Sequence, residues 1–446
     1  MLFTCTLSET KIGKYLLPMN TRDIAGFVLS FALAAPGIAA DWPQYAGPNL
    51  NRSTAEKIQK VFPAGGPKAL WRVPTSDGFS SFTVSDGKAF TQVLRNFEGA
   101  PRETLIALDA NNGKELWAAP LGPIKLGDGG QSGTPDNQGG DGPRSTPSVD
   151  GNRVYVTSAK LLVSCFDAAT GKPVWSHDLM KENAGRNISW QNATSPLIEG
   201  NLVFVAGGGA GESLLALDKA TGKVAWKAHD EKITHASPTA ATILGQRQII
   251  YFTQSGLVSV NPPDGKLLWK HPFKYNVSTA ASPVAADDIV YCAAGYGVGA
   301  TAVRVGKDGS AFKATELWRT TGNHPVANHW STPVYHKGHL YGMFSFKEYG
   351  NGPMKCVEVA TGKVKWQQAG FGAGQVILAG DTVLALSDSG ELITVETNPN
   401  QYKEISRAKV VSGKCWSSPT VADGKIYVRS TKEGVCLDAS VAMAGK

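Results

Sequence analysis

An eleven-residue element recurs along almost the whole chain, and this repetition constrains the fold more than any other feature. The copy at residues 216–226 reads ALDKATGKVAW. Related copies, some shortened, end at Trp71, Trp117, Trp175, Trp269, Trp318 and Trp366, and successive tryptophans lie 43 to 58 residues apart. Such a period is typical of repeat architectures, in which each unit buries its apolar face by stacking on its neighbours.

Each part of the element has a structural role. An apolar run forms a strand, Asp218 accepts hydrogen bonds from turn amides, and Gly222 supplies a positive φ at little cost. The return strand then carries Trp226, which we expect to lie between neighbouring sheets. An isolated hairpin of this kind is marginally stable and leaves an exposed edge, so several units must stack side by side.

The composition favours an all-β chain. At 446 residues the chain could form two or three domains, but a repeat that runs through nearly all of it indicates one closed array. The 50 glycines and 25 prolines suit short strands and tight turns, and only 18% of the residues are charged. No long pattern of period 3.6 indicates a helix.

Two further columns of residues align the repeats. The second strand of each unit carries a large apolar residue: Phe90, Tyr155, Phe204, Tyr251, Tyr291, Tyr341, Leu384 and Tyr427. The first strand of most units starts with a Ser/Thr-Pro pattern, as at residues 145–147, 195–196, 237–238, 282–283, 331–333 and 417–419. With a degenerate outer strand at 405–410, the count is eight blades; a seven-bladed ring with one inserted unit is the alternative.

The two ends of the chain complete one blade. Residues 68–73, around Trp71, resemble a last strand without its first three, whereas residues 415–437 supply three strands without a closing tryptophan. We therefore predict an eight-bladed β-propeller of four-stranded antiparallel blades over residues 68–446, closed by the N-terminal strand joining the C-terminal blade. Residues 41–67 lack the repeat and are expected to be an extended lead-in on the outside.

The first 40 residues have the layout of an export signal. Arg22, an apolar core at 24–35 and the small residues PGIAA before Asp41 predict a signal peptide that starts at Met19 and is cleaved near Ala40. A transmembrane anchor is the weaker alternative, because the apolar run is about half of the roughly 20 residues that a spanning helix needs. No lipid-attachment Cys follows the cleavage point, so we expect a periplasmic or secreted protein.

The charge pattern excludes one class of partner. The net charge of +7 is scattered, and no Lys/Arg run or basic patch with interleaved aromatics indicates nucleic-acid binding. An envelope protein or a small molecule is the expected partner, and the protein is expected to be a monomer.

Six residues just before the first strands are the candidate binding site. First strands line the central channel of a propeller, so these residues converge on its mouth: Arg144, Asn192, His235, His329, Trp330 and Trp416. Aromatic rings, imidazoles, a guanidinium and an amide together suit a planar or anionic ligand. The alternative is that they cap strand ends and stabilise the rim. No catalytic or metal-binding motif with a supporting context is found, so no catalytic residue is assigned.

A glycine-rich stretch at residues 127–142 carries Asp128, Asp136 and Asp141. Carboxylates on a flexible loop are ligands that calcium uses, but the spacing matches no known calcium loop. A plain connection between blades is the simpler interpretation.

The repeated A-x-D-x-x-T-G-x-x-x-W element, with the Ser-Pro strand starts, resembles the pyrroloquinoline-quinone (PQQ) type of β-propeller repeat, over residues 42–437. The segments DWPQYAGPN, GPRSTPSVDGNRVYV, YGVGA and GKCWSSP are similar to a secreted bacterial group of PQQ-like or BamB-like propellers. This resemblance implies an eight-bladed fold, within the quinoprotein alcohol dehydrogenase-like superfamily, and an envelope location. It does not imply a bound quinone.

The sequence departs from both branches of this superfamily. Quinoprotein dehydrogenases hold PQQ against a vicinal disulfide beside a calcium ion, whereas no two of the cysteines at 5, 165, 292, 356, 415 and 436 are adjacent. The BamB-like branch consists of lipid-anchored scaffolds, and the lipid-attachment Cys is missing. We therefore expect a non-enzymatic binding or scaffold protein of the envelope. A PQQ-dependent dehydrogenase, and a saccharide-binding propeller acting through Trp330 and Trp416, are the alternatives.

Overall fold

Within the described residues, the strands form eight separate sheets. Seven sheets are each built on one sequence repeat, and the eighth combines strands from the two ends of the chain. The computed structural model describes residues 41–123, 142–275, 279–323, 325–344 and 350–441. The expected signal peptide and the three aspartates of the 127–142 stretch lie outside these residues. No helix in the described ranges is long and apolar enough to cross a membrane.

Two strands precede the first complete blade, and the first four blades follow in chain order. The two are β1 (Ser53–Thr54) and β2 (Ala69–Pro74). Blade 1 contains β3 (Thr83–Ser85), β4 (Lys88–Phe97), β5 (Ala100–Asp109) and β6 (Glu115–Pro123). Blade 2 contains β7 (Ser148–Asp150), β8 (Arg153–Thr157), β9 (Leu162–Asp167) and β10 (Pro173–Asp178), followed by the helical turn α1 (Leu179–Glu182). Blade 3 contains β11 (Leu197–Glu199), β12 (Leu202–Ala206), β13 (Leu214–Asp218) and β14 (Val224–Ala228). Blade 4 contains β15 (Thr239–Ile243), β16 (Gln246–Thr253), β17 (Gly256–Val260) and β18 (Leu267–Pro272).

The remaining blades repeat this order. Blade 5 contains β19 (Val284–Ala286), β20 (Ile289–Ala294), β21 (Gly299–Asp308) and β22 (Ala311–Thr321). Blade 6 contains β23 (Val334–His336), β24 (His339–Met343), β25 (Met354–Glu358) and β26 (Val364–Gln368). Blade 7 contains β27 (Gln375–Ala379), β28 (Thr382–Leu386), β29 (Glu391–Glu396) and β30 (Glu404–Lys409). Blade 8 contains β31 (Thr420–Ala422), β32 (Lys425–Arg429) and β33 (Glu433–Asp438).

Strand β2 closes the ring. It pairs with β33 in antiparallel register, with Trp71 opposite Cys436, and so becomes the fourth strand of blade 8. The first strands of neighbouring blades also contact one another, including β3 of blade 1 with β31 of blade 8. The prediction of an eight-bladed ring closed by an N-terminal strand is confirmed.

At five of the eight junctions a tryptophan of one blade lies on a glycine turn of the next. The Trp175 indole donates a hydrogen bond of 3.0 Å to the Lys219 carbonyl in the turn of blade 3. A Cβ atom added to Gly222 in that turn would lie 2.5 Å from the Trp175 ring. Asp218 closes the same turn by accepting hydrogen bonds from the Thr221 amide and hydroxyl, at 2.9 and 2.7 Å. The same close approach recurs for Gly113 on Trp71, Gly171 on Trp117, Gly265 on Trp226 and Gly362 on Trp318.

The other repeated columns fill the blade interiors. The second-strand ring of Tyr155 lies 6.0 Å from Trp175 of its own blade, and equivalent pairs occur in most blades. Cys165, Cys356 and Cys436 lie in third strands and are fully buried, as expected for small core residues. All five cysteines of the described ranges are free thiols.

The first half of the lead-in crosses one end of the channel instead of packing on the outside. Trp42 pairs with Val84 of β3 through two backbone hydrogen bonds of 2.9 Å and is 1% exposed. The Gln44 amide then exchanges hydrogen bonds with the backbone of Ile198 in β11. Strand β1 pairs in parallel with β27, which makes blade 7 five-stranded. The lead-in thus contacts the first strands of blades on opposite sides of the ring.

The second half of the lead-in runs outward along blades 7 and 8. Ile58 and Phe62 are buried in an apolar cluster with residues of both blades. The Gln59 amide donates to the Ala439 carbonyl at 2.8 Å, and the Phe62 amide donates to Ser406 Oγ at 3.0 Å. This path leads directly into β2. The sequence could not distinguish this course from outside packing, because the lead-in carries no repeat to align.

The glycine contact predicts a large loss of stability for Gly222→Ala. At φ +72 the new Cβ would both strain the backbone and overlap the Trp175 ring, at a cost of about 3 kcal/mol. Gly200→Ala is the matched control, because Gly200 has φ +58 and nothing within 4 Å of an added Cβ. Urea unfolding should show a loss of only about 1 kcal/mol for the control. Equal losses for the two variants would contradict the docking role of the turn.

Candidate binding site at the channel mouth

The first strands define two ends of the channel, which we call the mouth and the base. Each first strand begins at the mouth and turns at the base into the second strand, as Ser148–Asp150 does before Arg153–Thr157. The candidate site lies at the mouth, because all six predicted residues precede first strands. The lead-in crosses near the base, where Trp42 pairs with Val84 of β3.

A hydroxyl ring lines the channel just below the mouth. At five junctions a backbone amide of one blade donates a hydrogen bond of 2.9 to 3.0 Å to a side-chain hydroxyl of the next blade. The donor and acceptor pairs are Ser418 and Ser81, Ser81 and Thr146, Thr146 and Ser195, Ser195 and Ser237, and Ser282 and Thr332. These residues are the Ser/Thr of the strand-start pattern. Their recurrence therefore reflects the attachment of neighbouring blades.

Five aromatic side chains form a row across the mouth. Ring centroids are separated by 4.9 Å between Phe79 and Trp416, 4.5 Å between Trp416 and Trp330, 4.6 Å between Trp330 and His329, and 5.0 Å between His329 and Tyr296. This aromatic row draws on blades 1, 8, 6 and 5. Four of its members are half-buried, and His329 is 7% exposed. Partly exposed rings in contact present a continuous surface for stacking.

Two cations lie over rings at one end of the aromatic row. The Arg144 guanidinium carbon lies 5.9 Å from the centre of the Phe79 ring, and Lys414 Nζ lies 5.0 Å from the centre of the Trp416 ring. Arg144 also donates a 3.3 Å hydrogen bond to the Trp190 carbonyl. Cations over aromatic faces stabilise the side-chain positions, and here they leave positive charge at the Phe79–Trp416 end of the row.

The side of the mouth near Arg144 contains two buried titratable groups. Burial, reinforced by the Arg144 charge, lowers the pKa of His235 to about 4, so the imidazole is neutral at pH 7. Burial raises the pKa of Glu103 to about 7, against the opposing effects of the Ala159 amide and of Arg144. Glu103 is 3% exposed and lines a cavity of about 710 Å³ between blades 1 and 2.

Asn192 has a local structural role. Its side-chain oxygen accepts hydrogen bonds from the Thr194 amide and hydroxyl, at 3.0 and 2.7 Å. Its amide nitrogen donates to the Ser158 and Thr194 carbonyls, and the residue is 1% exposed. These bonds use both ends of the amide to shape the turn before β11.

The structure therefore brings together part of the predicted set. His329, Trp330 and Trp416 lie in the aromatic row, and Arg144 joins them through Phe79. His235 is within the electrostatic influence of Arg144, whereas Asn192 is engaged in its own turn. Whether these residues bind a ligand stays a prediction.

The sequence prediction missed several residues of the mouth. Phe79 holds the same position as Trp416, since FSSFTV matches WSSPTV, but Phe82 replaces the proline that marks the other strand starts. Tyr296 lies in the turn between β20 and β21, and Glu103 lies in a third strand, so neither follows the strand-start pattern. Aligning the whole column, instead of the Ser-Pro motif, would have identified Phe79.

Two features of the dehydrogenase branch, a cluster of acidic metal ligands and a vicinal cysteine pair, are not found in the described ranges. No group of three or more His, Cys, Asp or Glu side chains in the described ranges could hold a metal ion. The sequence has no adjacent cysteines to form a vicinal disulfide under a quinone. We therefore derive no reaction step through a quinone.

The raised pKa of Glu103 predicts a distinct pH dependence of stability. The folded protein binds this proton more tightly than the unfolded chain, so the stabilisation is present below pH 4.5 and is lost as the pH rises through 7. Glu103→Gln removes the titrating group. Between pH 4.5 and 8, the free energy of unfolding of the wild type should fall by up to about 3 kcal/mol more than that of this variant. Urea unfolding at both pH values measures the difference. Glu115→Gln, at an exposed glutamate of the same blade, is the control, and parallel curves for wild type and Glu103→Gln would contradict the assignment.

Curated relatives of the chain include two kinds of protein. Outer membrane protein assembly factor BamB of Shewanella oneidensis is 24% identical over 381 residues, which cover 74% of this chain and 90% of that protein. Quinoprotein alcohol dehydrogenase PedH of Pseudomonas putida is 29% identical over 203 residues, which cover 42% of this chain and 31% of that protein.

Solved structures support the fold. Quinohemoprotein alcohol dehydrogenase from Comamonas testosteroni superposes with a TM-score of 0.62 at 12% identity, covering 91% of this chain and 82% of that one. A family model described as outer membrane protein assembly factor BamB matches residues 101–341 and 350–440. This match spans most of the propeller, and the chain therefore belongs to the BamB family of PQQ-like β-propellers.

Proposed function

We propose that this chain is an exported propeller that binds a partner at the channel mouth and acts in the cell envelope without catalysing a reaction. The aromatic row is the observation that carries the proposal. Contacting, half-buried aromatic rings are the type of feature that supplies most of the free energy in recognition sites. Nothing in the folding of the blades requires side chains of this size at the mouth, since alanines fill the same position at Ala280 and Ala373.

The charges at the mouth indicate the chemistry of the partner. Arg144 and Lys414 lie at the same end of the aromatic row, over the adjacent rings of Phe79 and Trp416. His235 is neutral at pH 7 and adds no further charge. A segment that presents aromatic or apolar side chains next to carboxylates would match this surface. A planar anion of small size has the same complementarity.

The relatives support a scaffold role. A BamB protein, named as an outer membrane protein assembly factor, aligns over 90% of its own length. A partner among the proteins that assemble outer-membrane proteins is therefore the first candidate. Export to the envelope, through the expected signal peptide, belongs to the same proposal.

A PQQ-dependent dehydrogenase is the second candidate. The aromatic row could stack on a planar quinone, and PedH is a relative over part of the chain. The missing ligand set makes this the weaker proposal. Saccharide binding through Trp330 and Trp416 is the third candidate, and replacement of these two tryptophans tests it as well.

Replacement of both tryptophans tests the proposal. Trp330→Ala/Trp416→Ala should reduce by at least about tenfold the amount of envelope protein that the purified chain captures after chemical cross-linking, because it removes the centre of the aromatic row. Leu116→Ala/Leu267→Ala is the control, since it removes two exposed apolar side chains from outer strands. Thermal unfolding must show that both double variants are folded.

Three outcomes would contradict this proposal. Equal capture of the same proteins by wild type and the tryptophan variant would exclude the aromatic row as the binding surface. Saturable quenching of tryptophan fluorescence by PQQ, together with dye-linked oxidation of an alcohol, would establish the dehydrogenase alternative. Retention on a glycan array that depends on the two tryptophans would establish saccharide binding.

A further inference from the structure

A buried arginine from the lead-in lies inside the channel, below the aromatic row. Arg52 is 3% exposed, and its carbonyl accepts a hydrogen bond from the Leu378 amide in β27. Its side chain reaches toward the mouth, because Nη2 donates to the Val376 carbonyl at 2.6 Å and to Ser418 Oγ at 2.9 Å. Arg52 therefore connects blades 7 and 8 at the level of the hydroxyl ring.

The charge of Arg52 has no carboxylate partner among the described residues. Its hydrogen bonds go to a carbonyl, a hydroxyl and the Gln375 amide oxygen. The Tyr45 ring lies 4.9 Å from its guanidinium carbon, and the Tyr45 hydroxyl is a further polar neighbour of the guanidinium. Burial lowers the pKa of Arg52, opposed only by Tyr45. Burying a cation without a counter-charge costs several kcal/mol, so such a residue in a cavity indicates an anionic ligand.

Arg52 also has N–H groups that are not used within the described part of the chain. Its Nε and Nη1 atoms are buried and lack a hydrogen-bond acceptor there. Arg429 provides a comparison, because it too is fully buried but donates to Thr91 Oγ1 and to the carbonyls of Gln92 and Ser76. Of these two fully buried arginines, only Arg52 therefore has unsatisfied donors; the half-buried Arg102 also has one, at Nε, but it lies close to Glu98.

A cavity of about 280 Å³ lies between the lead-in and the first strands of blades 4, 5 and 6, and Arg52 lines it. Ser282 Oγ, in the same wall, is likewise buried without a partner among the described residues. The wall contains two other charged residues, Arg247, which pairs with Glu199 at 2.6 Å, and Asp287, which accepts a 2.5 Å hydrogen bond from the Tyr335 hydroxyl. Arg52 is the cation of this wall that lacks a carboxylate partner.

We propose that this channel cavity is a binding site for a small oxyanion, held by Arg52 from the lead-in and by Ser282 from blade 5. A guanidinium favours the oxygens of phosphate, sulfate and carboxylate groups, and a serine hydroxyl adds a neutral donor. The volume admits an inorganic oxyanion or a small carboxylate and is below that of most sites for larger organic ligands. This inference does not depend on the proposed function, because the cavity lies below the aromatic row and uses different residues.

Anion-dependent stabilisation tests this site. At constant ionic strength, sodium phosphate, sulfate or acetate should raise the Tm of the wild-type protein by several degrees in a saturable manner, relative to sodium chloride. Arg52→Met should abolish the rise, and Ser282→Ala should increase the half-saturating concentration about five- to tenfold through the loss of one hydrogen bond. Arg304→Met, which removes an exposed arginine paired with Asp288, is the control and should respond like the wild type. The anion that gives the largest rise distinguishes phosphate and sulfate from carboxylates.

A second measurement needs no variant. Wild-type crystals soaked in selenate should show an anomalous peak within hydrogen-bonding distance of the Arg52 guanidinium. A protein that no oxyanion stabilises more than chloride does, or a selenate map without a peak in this cavity, would overturn the proposal. Retention of the full response by Arg52→Met would do the same.

Discussion

The contact between an outer-strand tryptophan and the glycine turn of the following blade is the interaction on which the ring depends. Each contact joins only neighbouring blades, so the stability of the ring is close to a sum of similar local terms. The contact needs a large flat ring on one side and the absence of a Cβ on the other, as for Trp175 and Gly222. This requirement explains why the glycine and the tryptophan keep the same separation within each full copy of the element, as at Gly222 and Trp226, while the other positions vary.

Three junctions depart from this rule. Trp366 of blade 6 keeps its indole hydrogen bond, to the Asn398 carbonyl of blade 7 at 2.7 Å, but the turn that it meets contains no glycine. At the other two junctions different residues compensate. Trp269 of blade 4 donates its indole hydrogen bond to Gln248 in its own blade, and blade 5 instead extends its outer strands into the longest hairpin of the described residues. The outer strand of blade 7 has no tryptophan, and Ile58 and Phe62 of the lead-in occupy an apolar cluster with blades 7 and 8. The lead-in is thus part of the ring, although it carries no repeat.

These differences explain how much could be predicted from the sequence. The blade number, the closing strand and the packing columns were predictable, because each depends on residues that recur in the same order in successive repeats. The mouth was predictable only where a Ser-Pro pattern marked it, so Arg144 and Trp416 were found and Phe79 was not. Arg52 could not be located, because its position depends on where a non-repetitive segment crosses a ring formed by residues hundreds of positions later.

The closing strand also imposes an order on folding. Strand β2 cannot pair until β33 has been synthesised, and β1 must wait for β27. The residues made first are therefore among the last to be ordered, and for most of synthesis the nascent ring is an open arc with exposed edges at both ends. Such long-range pairing is slow, and open edges attract other chains. A chain that closes in this way exposes two strand edges until its first and last strands meet.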